Sequence, residues 1–143
     1  MSWNQEKIRK ELDRKRLVKG VEEAIYKKPY IAVKDILDLF ESNKATKNQI
    51  QHCLYLIPNL IIKKAVDVDL DRFIVQMYKY LDDENEDIIY ASARCLARFA
   101  LYATTLIEYK PRLAEFIDAI ETKAPKYAKN MEVLVKYIRG TYE

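Results

Sequence analysis

Apolar residues recur at intervals of three and four along most of the chain, the spacing that places side chains on one face of an α-helix. Ile36, Leu37 and Phe40 mark a helix over 30–41, and Ile50, Cys53, Leu54, Ile57, Leu60 and Ile61 a longer one over 46–64. Leu70, Phe73, Ile74, Met77 and Leu81 predict 69–81. Ile88, Ala93, Leu96, Phe99 and Ala103 predict 85–103. Leu113, Phe116 and Ile120 belong to a helix over 111–121, and Tyr127, Met131, Leu134 and Ile138 to a last one over 126–139. Ahead of these, Ile8 and Leu12, then Leu17, Val21 and Ile25, carry an apolar face through residues 1–28, with Gly20 as its break. No segment reads convincingly as a strand, so the chain is expected to be all-α.

The punctuation agrees. Ser2 with Gln5, and Thr46 with Gln49, have the spacing of capping boxes. Pro29, Pro111 and Pro125 suit first helical positions, where a missing N–H costs nothing. Asp69 or Asp71 can open the helix 69–81, and Gly140 sits like a C-terminal cap. Pro58 is expected to kink the helix 46–64 near its middle.

Three segments share a layout. Phe40, Leu81 and Ile120 each close a short helix, and Leu54, Cys95 and Leu134 each fall fourteen residues later inside a longer one. The repeat spacings are 41 and 39 residues, in the range of helical-hairpin repeats. The middle segment, "YLDDENEDIIYASARCLARFA", has an acidic turn, two aliphatics and then an alanine-rich second helix ending in leucine. It resembles the HEAT and armadillo repeat families. The resemblance implies a short α-solenoid of about three hairpins, over 30–64, 69–103 and 109–139, with 1–28 as a basic N-terminal cap on a single 1–143 domain. A compact multi-helix bundle is the alternative architecture.

The composition fits one folded domain. Half of the 143 residues are hydrophobic and a third are charged, with two glycines and four prolines. Few glycines and prolines favour helices over sheets and irregular loops. No apolar run approaches the roughly 20 residues of a membrane span, so no membrane association is expected. The charged start "MSWNQEKIRKELDRKR" is not expected to act as a secretory signal. Cys53 and Cys95 read as reduced core thiols of a cytoplasmic protein.

Charge sharpens the picture. The net value is +3, too small to imply nucleic acid by itself. Sorted by position, the first helices of the hairpins carry −4 together and the second helices +6. Asp82 to Asp87 precede or open a helix, where free N–H groups and the helix dipole favour carboxylates. Asp87, Ala91, Arg94, Arg98 and Tyr102 should line that helix's exposed side. In a solenoid, second helices line the concave face. Their polar phase would comprise Asn48, His52, Tyr55, Asn59 and Lys63, then Tyr90, Arg94, Arg98 and Tyr102, then Lys126, Lys129 and Lys136.

No catalytic chemistry is expected. Gly20 and Gly140 are the only glycines, which excludes a glycine-rich phosphate loop. His52 and Cys53 are adjacent and would point about 100° apart on a helix, so they cannot pair as base and nucleophile. One histidine and two cysteines give no zinc spacing, and no cofactor is expected. Trp3 should staple the N-terminus or meet a partner. The expected function is a non-catalytic protein–protein interaction or assembly module. Its footprint is His52, Tyr55, Tyr90, Arg94, Arg98, Lys129 and Lys136, with homodimerisation through open solenoid ends also expected. The alternative is a small helical RNA- or DNA-binding subunit of a nucleoprotein complex.

Overall fold

A computed structural model of the chain describes residues 3–141. Among them are nine α-helices and no strand. They are α1 Gln5–Leu12, α2 Lys19–Lys27, α3 Pro29–Glu41, α4 Lys47–Pro58, α5 Leu70–Leu81, α6 Glu86–Ala103, α7 Leu113–Lys123, α8 Pro125–Asn130 and α9 Glu132–Gly140. The chain divides into two compact units, residues 1–76 and 77–143, with the boundary inside α5.

In the first unit α3 packs on α2 and α4, and α1 packs on α4. Phe40, Leu54, Leu56 and Ile57 are almost wholly buried there. Each such side chain contributes roughly 1.5–3 kcal/mol through its removal from water. Pro29 opens α3. Thr46 and Gln49 form the reciprocal capping box that their spacing predicts. Asn43 ends the preceding turn with φ of 60°, a left-handed conformation that asparagine tolerates well. Asp69 begins α5 by accepting the Asp71 N–H at 3.1 Å.

In the second unit α7 packs against α6, α8 and α9. Phe99 of α6 and Phe116, Ile117 and Ile120 of α7 fill its interior. Ala93, Ala97 and Ala100 of α6 are fully buried; such small side chains allow close helix approach. Buried Ser92 donates to the Met77 carbonyl at 2.6 Å, tying α6 to the end of α5.

Several local expectations are corrected. The Ser2 cap lies outside the described residues; α1 starts at Gln5, with the Asn4 side chain accepting from the Lys7 N–H at 3.0 Å. The N-terminal break falls between Leu12 and Lys19, and Gly20 lies inside α2. Pro58 is the last residue of α4, and a π-helical turn, Asn59–Lys63, follows it directly. Proline offers no N–H to the preceding turn, and the chain goes on in a wider register, with the Lys64 N–H reaching the Asn59 carbonyl at 3.3 Å. Pro111 lies in a 3-10 turn, Ile107–Arg112, ahead of α7.

The last predicted helix is two. Met131, with φ −116° and ψ 34°, interrupts it. The stripe Tyr127–Met131–Leu134–Ile138 assumed unbroken phase. After the break Val135 and Ile138 are the buried pair, and Leu134 is only half-buried. Gly140 is the last residue of α9, without positive φ, so it is not a left-handed cap. Ala91, expected on the outer side of α6, is buried.

Candidate interaction surface

The polar stripe of α4 is largely occupied by the chain itself. α1 ends in a turn whose carbonyls have no helical partner. Side chains of α4 and its cap supply the donors. Gln49 Nε2 donates to the Arg9 carbonyl at 2.9 Å, Asn48 Nδ2 to the Asp13 carbonyl at 2.8 Å, and Thr46 Oγ1 to Asp13 Oδ1 at 2.5 Å. His52 Nε2 lies 2.7 Å from the Arg14 carbonyl, so the ring acts there as an N–H donor. Asn59 Nδ2 donates to the Tyr26 hydroxyl at 2.9 Å, and that hydroxyl donates to Glu22 at 3.0 Å. Burial pushes the Tyr26 hydroxyl up to about 12; the Asn59 amide opposes the shift and Glu22 adds to it. Asn48, His52 and Asn59 therefore bind the N-terminal segment. Tyr55 of the same helix remains exposed.

In the second unit the structure brings Tyr90, Arg94 and Arg98 of α6 to Tyr127 of α8. The Tyr90 and Tyr127 rings meet edge to face, with centroids 4.6 Å apart and planes at 80°. Such pairs contribute about 0.5–1.5 kcal/mol beyond area burial. Burial, then Tyr90, push the Tyr127 hydroxyl up to about 12, while Arg94 and Arg98 pull it the other way. Asn85 builds this end of α6: its side-chain oxygen accepts the Asp87 and Ile88 N–H groups at 2.9 and 3.3 Å. Four-residue steps along α6 then carry Tyr90 to Arg94 and Arg98. Tyr127 was missed as a surface residue because tyrosine at helical spacing reads as core. Its position at the start of the α8 helix, after Pro125, was the available signal.

Lys129 and Lys136 line a different groove on α8 and α9, with Glu121, Glu132 and Arg139. Lys136 is 3.3 Å from Glu132. The acidic loop has partners too. Asp82 meets Lys123 at 2.7 Å and Glu86 meets Lys126 at 3.4 Å. Both are solvent-exposed pairs, worth at most about 1 kcal/mol each.

Both cysteines are buried and unpaired. Burial pushes the Cys53 thiol up to about 12, with Arg9 opposing, and raises Cys95 as well. Among the described residues no cluster of histidine, cysteine and carboxylate side chains could hold a metal ion, and no helix is long and apolar enough to cross a membrane. No family model, curated protein or solved structure matches the chain.

Proposed function

We propose that the chain is a non-catalytic protein-interaction or assembly module of HEAT-like helical hairpins, and that Tyr90, Arg94, Arg98 and Tyr127 are its central contact in the second unit. The observation that carries this reading is the tyrosine pair at 4.6 Å beside two arginines of one helix. Tyrosine and arginine dominate the energetics of protein interfaces because each combines a wide flat surface with a polar end. Lys129 and Lys136 join the proposal as flanking contacts of that unit. In the first unit Tyr55 is the exposed candidate, since the His52 ring is engaged by the Arg14 carbonyl.

A protein partner is favoured over nucleic acid by charge. Residues 77–143 contain ten lysines and arginines against eleven carboxylates, a net of −1. Lys123, Lys126 and Lys136 each have an acidic neighbour. Phosphate binding draws its strength from an excess of cations. The RNA- or DNA-binding reading keeps support from Arg94 and Arg98 beside two aromatic rings, a combination suited to stacking bases.

Affinity purification from the source cells, with and without nuclease, tests both readings. The expected result is a specific partner protein that survives nuclease and is lost with Arg94→Ala plus Tyr90→Ala. Truncating such an anchor costs about 2 kcal/mol or more. Retention of the same partner by the variant would count against this surface. Association abolished by nuclease, with affinity falling steeply and linearly on a log–log salt plot, would favour nucleic acid.

A further inference from the structure

The first unit carries a groove of about 530 Å³ between α1 and α2, separate from the surface proposed above and independent of it. Trp3, Ile8, Val18, Val21 and Ala24 form its apolar lining. Val18 is 47% exposed, so this lining is open to water. The Trp3 indole is held in place by donating to Asp35 of α3. Lys7, Lys27 and Lys28 stand on the rim with Glu11 and Glu23. Glu11 is engaged by Arg14 at 3.3 Å, which leaves the rim cationic in effect.

The charge of the whole chain points to the same place. Residues 1–28 contain nine lysines and arginines against five carboxylates, a net of +4, and residues 29–143 contain sixteen against seventeen. The entire positive excess therefore resides in the segment that builds this groove. With eight and nine residues, α1 and α2 are each roughly 12–14 Å long, enough to flank two turns of another helix. An open trough of that length with an apolar lining is the geometry that receives an amphipathic helix.

We propose that the α1–α2 groove docks an amphipathic helix of a partner protein, with an apolar stripe seated on Trp3, Val18 and Val21 and flanking glutamates or aspartates facing Lys7, Lys27 and Lys28. The apolar lining supplies affinity by burial, and the lysines select an acidic helix over a basic one.

Trp3 is the only tryptophan in the chain, so it reports on the groove directly. A tryptophan-free peptide of about 18 residues, long enough to hold a helix, carries leucines at helical spacing and glutamates on its flanks. Titrated into the full-length protein, it is expected to shift Trp3 emission saturably. A matched peptide with lysine in place of glutamate should bind at least about tenfold more weakly. Lys27→Glu plus Lys28→Glu, both at exposed positions, should invert that preference, and Val21→Glu should abolish binding while circular dichroism stays unchanged. Arg94→Ala plus Tyr90→Ala should leave it intact, which separates this groove from the surface in the second unit. Four outcomes overturn the proposal: no response to the acidic peptide up to about 1 mM, equal binding of both peptides, unaltered preference in the double variant, or a response confined to phosphatidylserine vesicles.

Discussion

Gln49 uses both ends of its amide, and that one residue shows how much a polar side chain can do inside a helical protein. Its Nε2 satisfies the Arg9 carbonyl at 2.9 Å while its Oε1 accepts the Thr46 N–H at 3.0 Å. Gln49→Ala removes both bonds; the exposed Thr46 N–H can turn to water, while the half-buried Arg9 carbonyl loses its donor, at a cost of about 1 kcal/mol. Urea denaturation should show that loss, whereas exposed Tyr55→Ala should change stability by less than about 0.5 kcal/mol. The buried thiols and tyrosines set a pH limit. Cys53 moves from 9.0 to about 12, and Tyr26 and Tyr127 from 10.0 to about 12. Each is neutral when protonated, and folding raises its pKa. As pH rises the unfolded chain loses these protons first, so stability is intact below about 9 and declines through about 12. Denaturation midpoints that stay level from neutral pH to about pH 11 would contradict this. These residue-level roles were hidden in the sequence. A glutamine or asparagine that bonds a distant carbonyl has the same helical phase as one that faces water, so helical phase alone places Asn48, His52 and Asn59 toward solvent.

Helices were far easier to read than the breaks between them. α3, α5, α6 and α7 follow from apolar spacing, and Pro29 and Pro125 mark where α3 and α8 begin. The interruption at Met131 has no glycine or proline to announce it. The shift from α to π geometry after Pro58 depends on how the chain meets its missing donor, which periodicity does not encode. Three substitutions probe the elements. Val75 is 61% exposed in the interior of α5, so Val75→Pro should cost about 3 kcal/mol or more through the backbone alone. Val75→Ala should be nearly neutral. Phe99 is wholly buried in α6, and Phe99→Ala should cost about 3–5 kcal/mol through lost burial and the cavity left behind. Thermal melts followed by circular dichroism should separate Val75→Pro and Phe99→Ala from the parent and leave Val75→Ala close to it.

At the scale of the whole molecule, the all-helical class was legible because a 3–4 period sustained over the chain leaves little else. The division between Gln76 and Met77 was not, because α5 reads as one uninterrupted stripe from Leu70 to Leu81. Of the footprint drawn from the sequence, Tyr90, Arg94 and Arg98 share a surface because equal four-residue steps run along one helix. Lys129 and Lys136 line another groove, and that grouping depends on the turn at Met131. Surface ion pairs such as Lys123–Asp82 and Lys126–Glu86 are solvated. Raising sodium chloride from about 0.05 M to about 1 M should shift unfolding free energy by less than about 1 kcal/mol.

The π-helical turn at Asn59–Lys63 has a consequence for how this chain can vary in length. Such a turn holds one residue more than an α-helical turn needs. Removing half-buried Ile62 would let the segment relax to ordinary winding without rotating the connection that follows. The same single-codon deletion in the middle of α6 would swing every later side chain of that helix by about 100° and bury its arginines. Natural length variation in this region should therefore cluster just after Pro58.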